Sequence, residues 1–380
     1  MFYLLLAVFV YVAFALKNGK IIKTTIGNEI VVAQKSHKQQ ISWVAVFMLL
    51  FISGFRTMSV GSDLPHYRWC FDRIAENHSI FAGDPYYGKF YLILNWLCSI
   101  FGANDISFTV LLLCVSAINI FLVVYIAKTM SPDISLTMFL FMCMDIFIPS
   151  LSMLRQSVAV SFVILSFMFL HKRRFLQFFA CVLLGSLFHE SAIIILPIYL
   201  LNFIPHTKNS VWAYLAIIIG FIVFAIFDDV IVKWVCIIFD FHYYWSYKMM
   251  GEKMTAMSNI KYTIFIAVFM FFWIYKIYCD RKHIELDRKY QTCLNFYFFV
   301  ALVSIYNIIS GRLFIVSRII YYFTWSIILL VPLFLKSIKN KKTRTILTVL
   351  VIVAGLLYLS TVVVLRDQFS VMPYDTVFCF

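Results

Sequence analysis

The chain has 380 residues, 63% of them hydrophobic and only 13% charged, and carries a formal charge of +14. A soluble domain is about 45–50% apolar and about 25% charged, so the two or three soluble domains that length alone suggests are excluded. The chain reads as one polytopic membrane bundle. Its basic residues stand in short runs between apolar segments, so the charge reports membrane topology and not a nucleic-acid partner.

The 41 Phe and 22 Tyr suit lipid-facing and interfacial surface. Nine cysteines are scattered, mostly within apolar segments, with no C-x-x-C pair. That is the pattern of small core residues, not of a zinc site or a disulfide framework.

A helix needs about 20 residues to cross the hydrocarbon core. Apolar runs fall at 1–16, 41–55, 106–127, 134–150, 156–170, 175–188, 191–205, 211–227, 263–279, 291–310, 316–335 and 346–365, and the shorter ones must borrow flanking residues. Residues 1–16 lack a basic start and a small-residue cleavage site, so a retained first helix is expected. The first basic run holds Lys17, Lys20, Lys23, Lys35 and Lys38, and the second Lys172, Arg173 and Arg174. The third holds Arg281, Lys282, Arg288 and Lys289, and the fourth Lys336, Lys339, Lys341, Lys342 and Arg344. All four are expected to be cytoplasmic.

Counting Tyr86–Ala103 as a crossing would strand Lys172–Arg174 outside. That segment is therefore read as interfacial or re-entrant, with its Tyr and Trp at headgroup depth. The expected fold is an all-α polytopic membrane protein, a single domain over 1–380 with about 12 transmembrane helices and both termini outside. A first outer loop covers 56–105, where Arg56, Arg68, Arg73 and Lys89 balance Asp63, Asp72, Glu76 and Asp84. A second, rich in Trp and Tyr, covers 228–262.

An ionisable residue at membrane depth costs about 2.5–3.5 kcal/mol to insert, so each is a functional candidate. Four stretches at expected outer helix ends qualify. In GFRTMSVGSDLPHYR (54–68), Arg56, Gly61, Asp63 and Tyr67 also suit an ordinary helix-end turn. In PSLSMLRQSVAVS (149–161), Pro149 breaks one run and Arg155 opens the next, as a ligand or as a snorkelling side chain. In LLGSLFHESAIIILP (183–197), His189 and Glu190 mark a hairpin turn, and a histidine there can act as a base near neutral pH. In SGRLFIVSRIIYY (310–322), Gly311 places Arg312 in a turn and Arg318 inside the next helix. An arginine at that depth calls for an anion, and its planar fork matches phosphate. Asp228 and Asp229 form an acidic pair that can either hold a divalent ion or simply be solvated.

FRTMSVGSDLPHYRWCF (55–71), LRQSVAVSFVILSFMFLHKRRF (154–175) and LLGSLFHESAIIILPIYL (183–200), in that order, resemble the EpsG family of bacterial integral membrane proteins, which belongs with Wzy-type O-antigen and exopolysaccharide polymerases. GRLFIVSRIIYYF (311–323) is similar more loosely. The resemblance implies a glycosyltransferase-type polymerase of the bacterial inner membrane. Its substrate would be undecaprenyl-pyrophosphate-linked oligosaccharide, with no cofactor, because the carrier supplies the leaving group. A chain-length regulator is a further candidate partner. On that reading Arg155 and Arg318 grip the pyrophosphate, Arg56 or Arg312 assists, Tyr67 lines the site, and Asp63 or His189 activates the acceptor. Two rivals stay open. A flippase for the same lipid-linked glycan would carry charge at mid-membrane and show related halves, neither evident in the sequence; an O-antigen ligase would share the outer site.

Overall fold

Helices make up nearly all of the computed structural model, which describes residues 1–19, 22–26, 29–33, 39–203, 214–215, 217–223, 226, 230, 256–310, 313–367 and 369–378. In chain order these are α1 (Phe2–Gly19), β1 (Ile22–Ile26), β2 (Glu29–Ala33), α2 (Trp43–Gly54), α3 (Leu64–Asn77), α4 (Lys89–Cys98), α5 (Asp105–Met130), α6 (Ile134–Cys143), α7 (Phe147–Ser152), α8 (Leu154–His171) and α9 (Phe175–Phe188). A 3₁₀ helix (Glu190–Phe203) follows, then α10 (Ala256–Arg281), α11 (Arg288–Ser310), α12 (Leu313–Thr324), α13 (Ile327–Ser337) and α14 (Lys341–Ser360). Among the described residues six stretches are long and apolar enough to cross a membrane, and several shorter apolar helices accompany them.

The all-α expectation needs one correction. β1 and β2 form an antiparallel hairpin, with Ile26 opposite Glu29 across a two-residue connection. The β-branched run IKTTI and EIVVA around Gly27–Asn28 is a hairpin signal hidden among the lysines of the first basic run. The Tyr86–Ala103 segment holds only α4 and one 3₁₀ turn. Ten helical residues rise about 15 Å, half a hydrocarbon core. Tyr91, Leu92, Asn95 and Cys98 are buried while Phe90, Trp96, Leu97 and Phe101 are exposed, so one face packs on the protein and the other carries apolar side chains outward.

The basic turns gather at one end of the bundle. There Lys289 Nζ donates to the Met130 carbonyl (3.3 Å), the Tyr275 and Ser337 hydroxyls pair (2.7 Å), and the Tyr199 hydroxyl donates to the Arg173 carbonyl (3.0 Å). Gln39 bridges Ser131 and Ile134 beside them. At the opposite end the C-terminal tail lies along residues 55–62: the Thr57, Gly61 and Ser62 amides donate to the Asp375, Ser370 and Phe369 carbonyls, and Val377 to Phe55. Tyr3, at the start of α1, donates to the Val371 carbonyl, so both termini share this end.

Two apolar runs, 134–150 and 316–335, are broken in their middles. Pro149 was expected to break the 134–150 run, but it sits in the first turn of α7, where no intrahelical N–H is needed. The break falls instead at Asp145, which takes φ 42°, a left-handed conformation that aspartate tolerates. The second break, between α12 and α13, falls at Trp325 and Ser326. With no water in the hydrocarbon region, freed carbonyls need protein donors. Tyr321 supplies Ile146 (2.9 Å), Thr137 supplies Ile328 (3.1 Å) and the Trp325 indole supplies Tyr322 (2.8 Å). Trp325 is fully buried, edge-on to Phe167 at 5.2 Å; helices in lipid are held by such packing, not by a hydrophobic drive between them.

Gly61 fixes the approach of residues 55–62 to α7. Its φ is +129°, and a Cβ there would lie 2.6 Å from the Leu151 carbonyl oxygen. Gly61→Ala is therefore expected to destabilise the purified protein by at least about 2 kcal/mol, read as loss of the monodisperse peak after a heat step. Gly220→Ala, where the added methyl meets nothing within 4 Å, should leave that peak unchanged.

Candidate active site at one end of the bundle

Three elements build the site. α3 buries Leu64, Tyr67, Cys70, Phe71 and Ile74, a spacing that presents one helical face inward. Asp63 holds the N-cap position without spending its carboxylate on a cap; among the described residues that carboxylate accepts from the Ser62 hydroxyl (3.2 Å). The Ser152 hydroxyl, just before α8, pairs with the Ser62 hydroxyl (2.8 Å) and accepts from the Asp63 amide (3.2 Å). α4 then starts at Gly88 against the turn after α9. A Cβ at Gly88 would stand 2.5 Å from the carbonyl oxygens of both Leu187 and Phe188.

That contact closes a cage. The rings of Tyr67, Tyr87 and Tyr91 sit with centroids 5.6 Å apart in each pair. Arg155, in the first turn of α8, places its guanidinium 3.7 Å from the Tyr87 ring centroid and beside the Tyr67 hydroxyl. Its Nη1 donates to the Tyr86 carbonyl (3.1 Å). The side chain is half-buried, and its Nε is buried with no partner among the described residues.

His189 caps α9 and is 7% exposed, and its Nε2 is likewise buried without a partner among the described residues. Burial, then the charges of Arg155 and Arg318, push its pKa down to about 3, so the imidazole is neutral. Arg318 lies in α12, and Gln156 of α8 donates to its carbonyl (2.6 Å). One turn on, Tyr322 pairs with Ser191 (3.1 Å), fixing α12 to the 3₁₀ helix beside His189.

Arg56 is 2% exposed, enclosed by protein and not presented at the surface. Its Nη2 donates to the Leu151 carbonyl (2.9 Å) and its Nε to Val60 (3.2 Å), while Nη1 has no partner among the described residues. Burial pushes its pKa down to about 10, still charged at neutral pH, and Tyr91 is among the nearby hydroxyls that oppose the shift. Arg68 is satisfied by Asp72 and Asp105 and lies over Phe108, a structural role. Arg312, the Asp228–Asp229 pair and most of the second loop, 228–262, lie outside the described residues.

Of the sequence candidates, Tyr67, Arg155, His189 and Arg318 converge, with Arg56 and Asp63 reached through Leu151 and Ser152 of α7. Tyr87, Tyr91 and the Tyr86 carbonyl were missed; the PYYG turn before Lys89 is the one signal for them. One further charged group was not expected. Asp145, 8% exposed at the α6–α7 break, pairs with Lys261 of α10 and accepts the Tyr358 hydroxyl (2.6 Å).

Compared with known proteins, residues 41–376 match the sequence model of the EpsG family. No curated protein and no solved structure matches the chain. The matched span runs from the start of α2 to the C-terminal tail and contains every residue of the cage and its surroundings. The chain therefore belongs to the EpsG family.

Proposed function

We propose that the protein polymerises undecaprenyl-pyrophosphate-linked oligosaccharide repeat units, at the Arg155 end of the bundle, on the periplasmic face of a bacterial inner membrane. Membership of the EpsG family supports polysaccharide biosynthesis, and the described basic turns after α8, α10 and α13, gathered at the opposite end, support the sidedness. One observation carries the assignment of the site. Arg56 Nη1, Arg155 Nε and His189 Nε2 are buried around one helix end with no partner among the described residues. Buried donors left unpaired cost about 1–3 kcal/mol each, and a pyrophosphate would satisfy the arginines at once.

In the reaction the acceptor hydroxyl oxygen bonds to the anomeric carbon of the growing chain. The carbon–oxygen bond to the pyrophosphate breaks, and its electron pair leaves with the carrier, where the arginines stabilise it. The acceptor proton passes to His189 or Asp63. A second reading, transport of the same lipid-linked glycan, draws on the Asp145–Lys261 pair, since charge inside a bundle is what a transporter keeps.

Gel analysis of surface polysaccharide separates the two. A strain lacking the gene is expected to show core bearing a single repeat unit; a strain that attaches no unit at all would sink the polymerase reading in favour of transport or ligation. Arg155→Lys, which keeps the charge and loses the fork and the ring contact, should cut polymer formation about 10- to 100-fold, while Arg73→Lys on the outer face of α3 should not.

His189 also predicts a pH dependence. The unfolded chain takes up the imidazole proton near pH 6.5 and the folded chain only near 3, so stability falls as pH drops through that window. From pH 7 to pH 5 the loss should be about 1–2 kcal/mol. A His189→Gln protein whose melting temperature falls as steeply over that interval would assign the loss elsewhere.

A further inference from the structure

A cleft of about 470 Å³ lies between α10 and α14, floored by α6 and α13, and nothing above uses it. Its size falls within the range of about 300–1,000 Å³ typical of small-ligand sites. Its walls are hydrocarbon, from Ile264, Val268 and Phe271 on one side to Val351 and Tyr358 on the other. Ile264 and Phe271 are exposed, and so are Ala267 and Ala354, the small residues lining the facing walls, so the cleft opens toward lipid. Along α14 the lining runs seven residues, about 10 Å.

One end is polar. Asp145 meets Lys261 and the Tyr358 hydroxyl there, and its Oδ1 is buried without a partner among the described residues. From Asp145 the six residues of α7 lead, over about 9 Å, to Leu151 and Ser152, which hold Arg56 and Asp63. Tyr321, one turn from Arg318, is bonded to the neighbouring Ile146 carbonyl. The polar end of the cleft and the arginine cage are thus joined by one short helix.

We infer that this cleft holds the first isoprenoid units of the polyprenyl chain of the lipid-linked substrate while its phosphates reach the arginine cage. The inference rests on the proposed reading of a lipid-linked substrate. A single branched chain fits an apolar cleft whose one polar end is closed by the Asp145–Lys261 ion pair, whereas a phospholipid would bring two chains and keep its headgroup in the interface.

The test uses the full-length protein in nanodiscs, labelled with a long-chain polyprenyl phosphate carrying a diazirine on its first isoprenoid units, against a phospholipid carrying the diazirine on an acyl chain. The prenyl probe is expected to label peptides spanning 264–272 and 351–358. Ala354→Trp and Ala267→Trp, both at exposed positions, should each lower that labelling at least 5-fold, and a tenfold excess of phospholipid should not compete. Labelling elsewhere, labelling unchanged in whichever tryptophan variant remains monodisperse, or equal labelling by the phospholipid probe would overturn the inference. Labelling does not depend on turnover. A cleft labelled as expected, in a chain whose deletion leaves polymer length unchanged, sustains the cleft and removes the polymerase reading.

Discussion

A guanidinium half-buried at the end of an apolar bundle has to be solvated largely by protein. Arg155 obtains this from the face of Tyr87, the hydroxyl of Tyr67 and the carbonyl of Tyr86. A desolvated cation–π contact is worth about 2 kcal/mol, comparable with the cost of inserting the charge at all. Those partners come from α3 and from the turn into α4, two helices of 14 and 10 residues, each shorter than the roughly 20 residues that a crossing needs. The residues expected to form a first outer loop are therefore better understood as a folded cover. α3 and α4 can seal it only because Gly88 allows α4 to begin in contact with the carbonyls just before His189.

The same end is braced from a second direction. Residues 55–62 are pinned between α7, through Arg56, and the C-terminal tail, through four backbone hydrogen bonds. Gly61 is where the two contacts meet, its amide bonded to Ser370 and its Cα face against Leu151. A buried arginine used as a brace also keeps a charge in reserve, because two of its nitrogens hold carbonyls and the third has no partner among the described residues.

Much of this was legible in the sequence because charge inside a hydrophobic chain has few innocent explanations. Arg155, His189 and Arg318 each interrupt an apolar run, and the interruptions come together. What was not legible was contributed by residues that look ordinary in a membrane protein. Tyr87 and Tyr91 read as interfacial aromatics, and only the packing of α3 against α4 turns them toward a guanidinium. The strands Ile22–Ile26 and Glu29–Ala33 lie among lysines that read as a basic topological run, which hides their β-branched pattern. Asp145 was missed for another reason: its partner Lys261 is more than a hundred residues away, at a position read as loop, so its pairing left no local trace.

The depressed pKa of His189 gives the site an order of events. Two of its causes are the positive charges of Arg155 and Arg318, the groups assigned to the pyrophosphate. A histidine held near pKa 3 is a poor base. Bound pyrophosphate would bring negative charge against the same arginines, and an opposite charge within about 4–6 Å favours the protonated imidazole. The residue would then become a competent base only after the donor lipid is in place. Asp63 is held differently, its carboxylate accepting from the Ser62 hydroxyl and its amide donating to Ser152. On the proposed polymerase reading, it is therefore His189 whose basicity would follow the binding of the donor lipid.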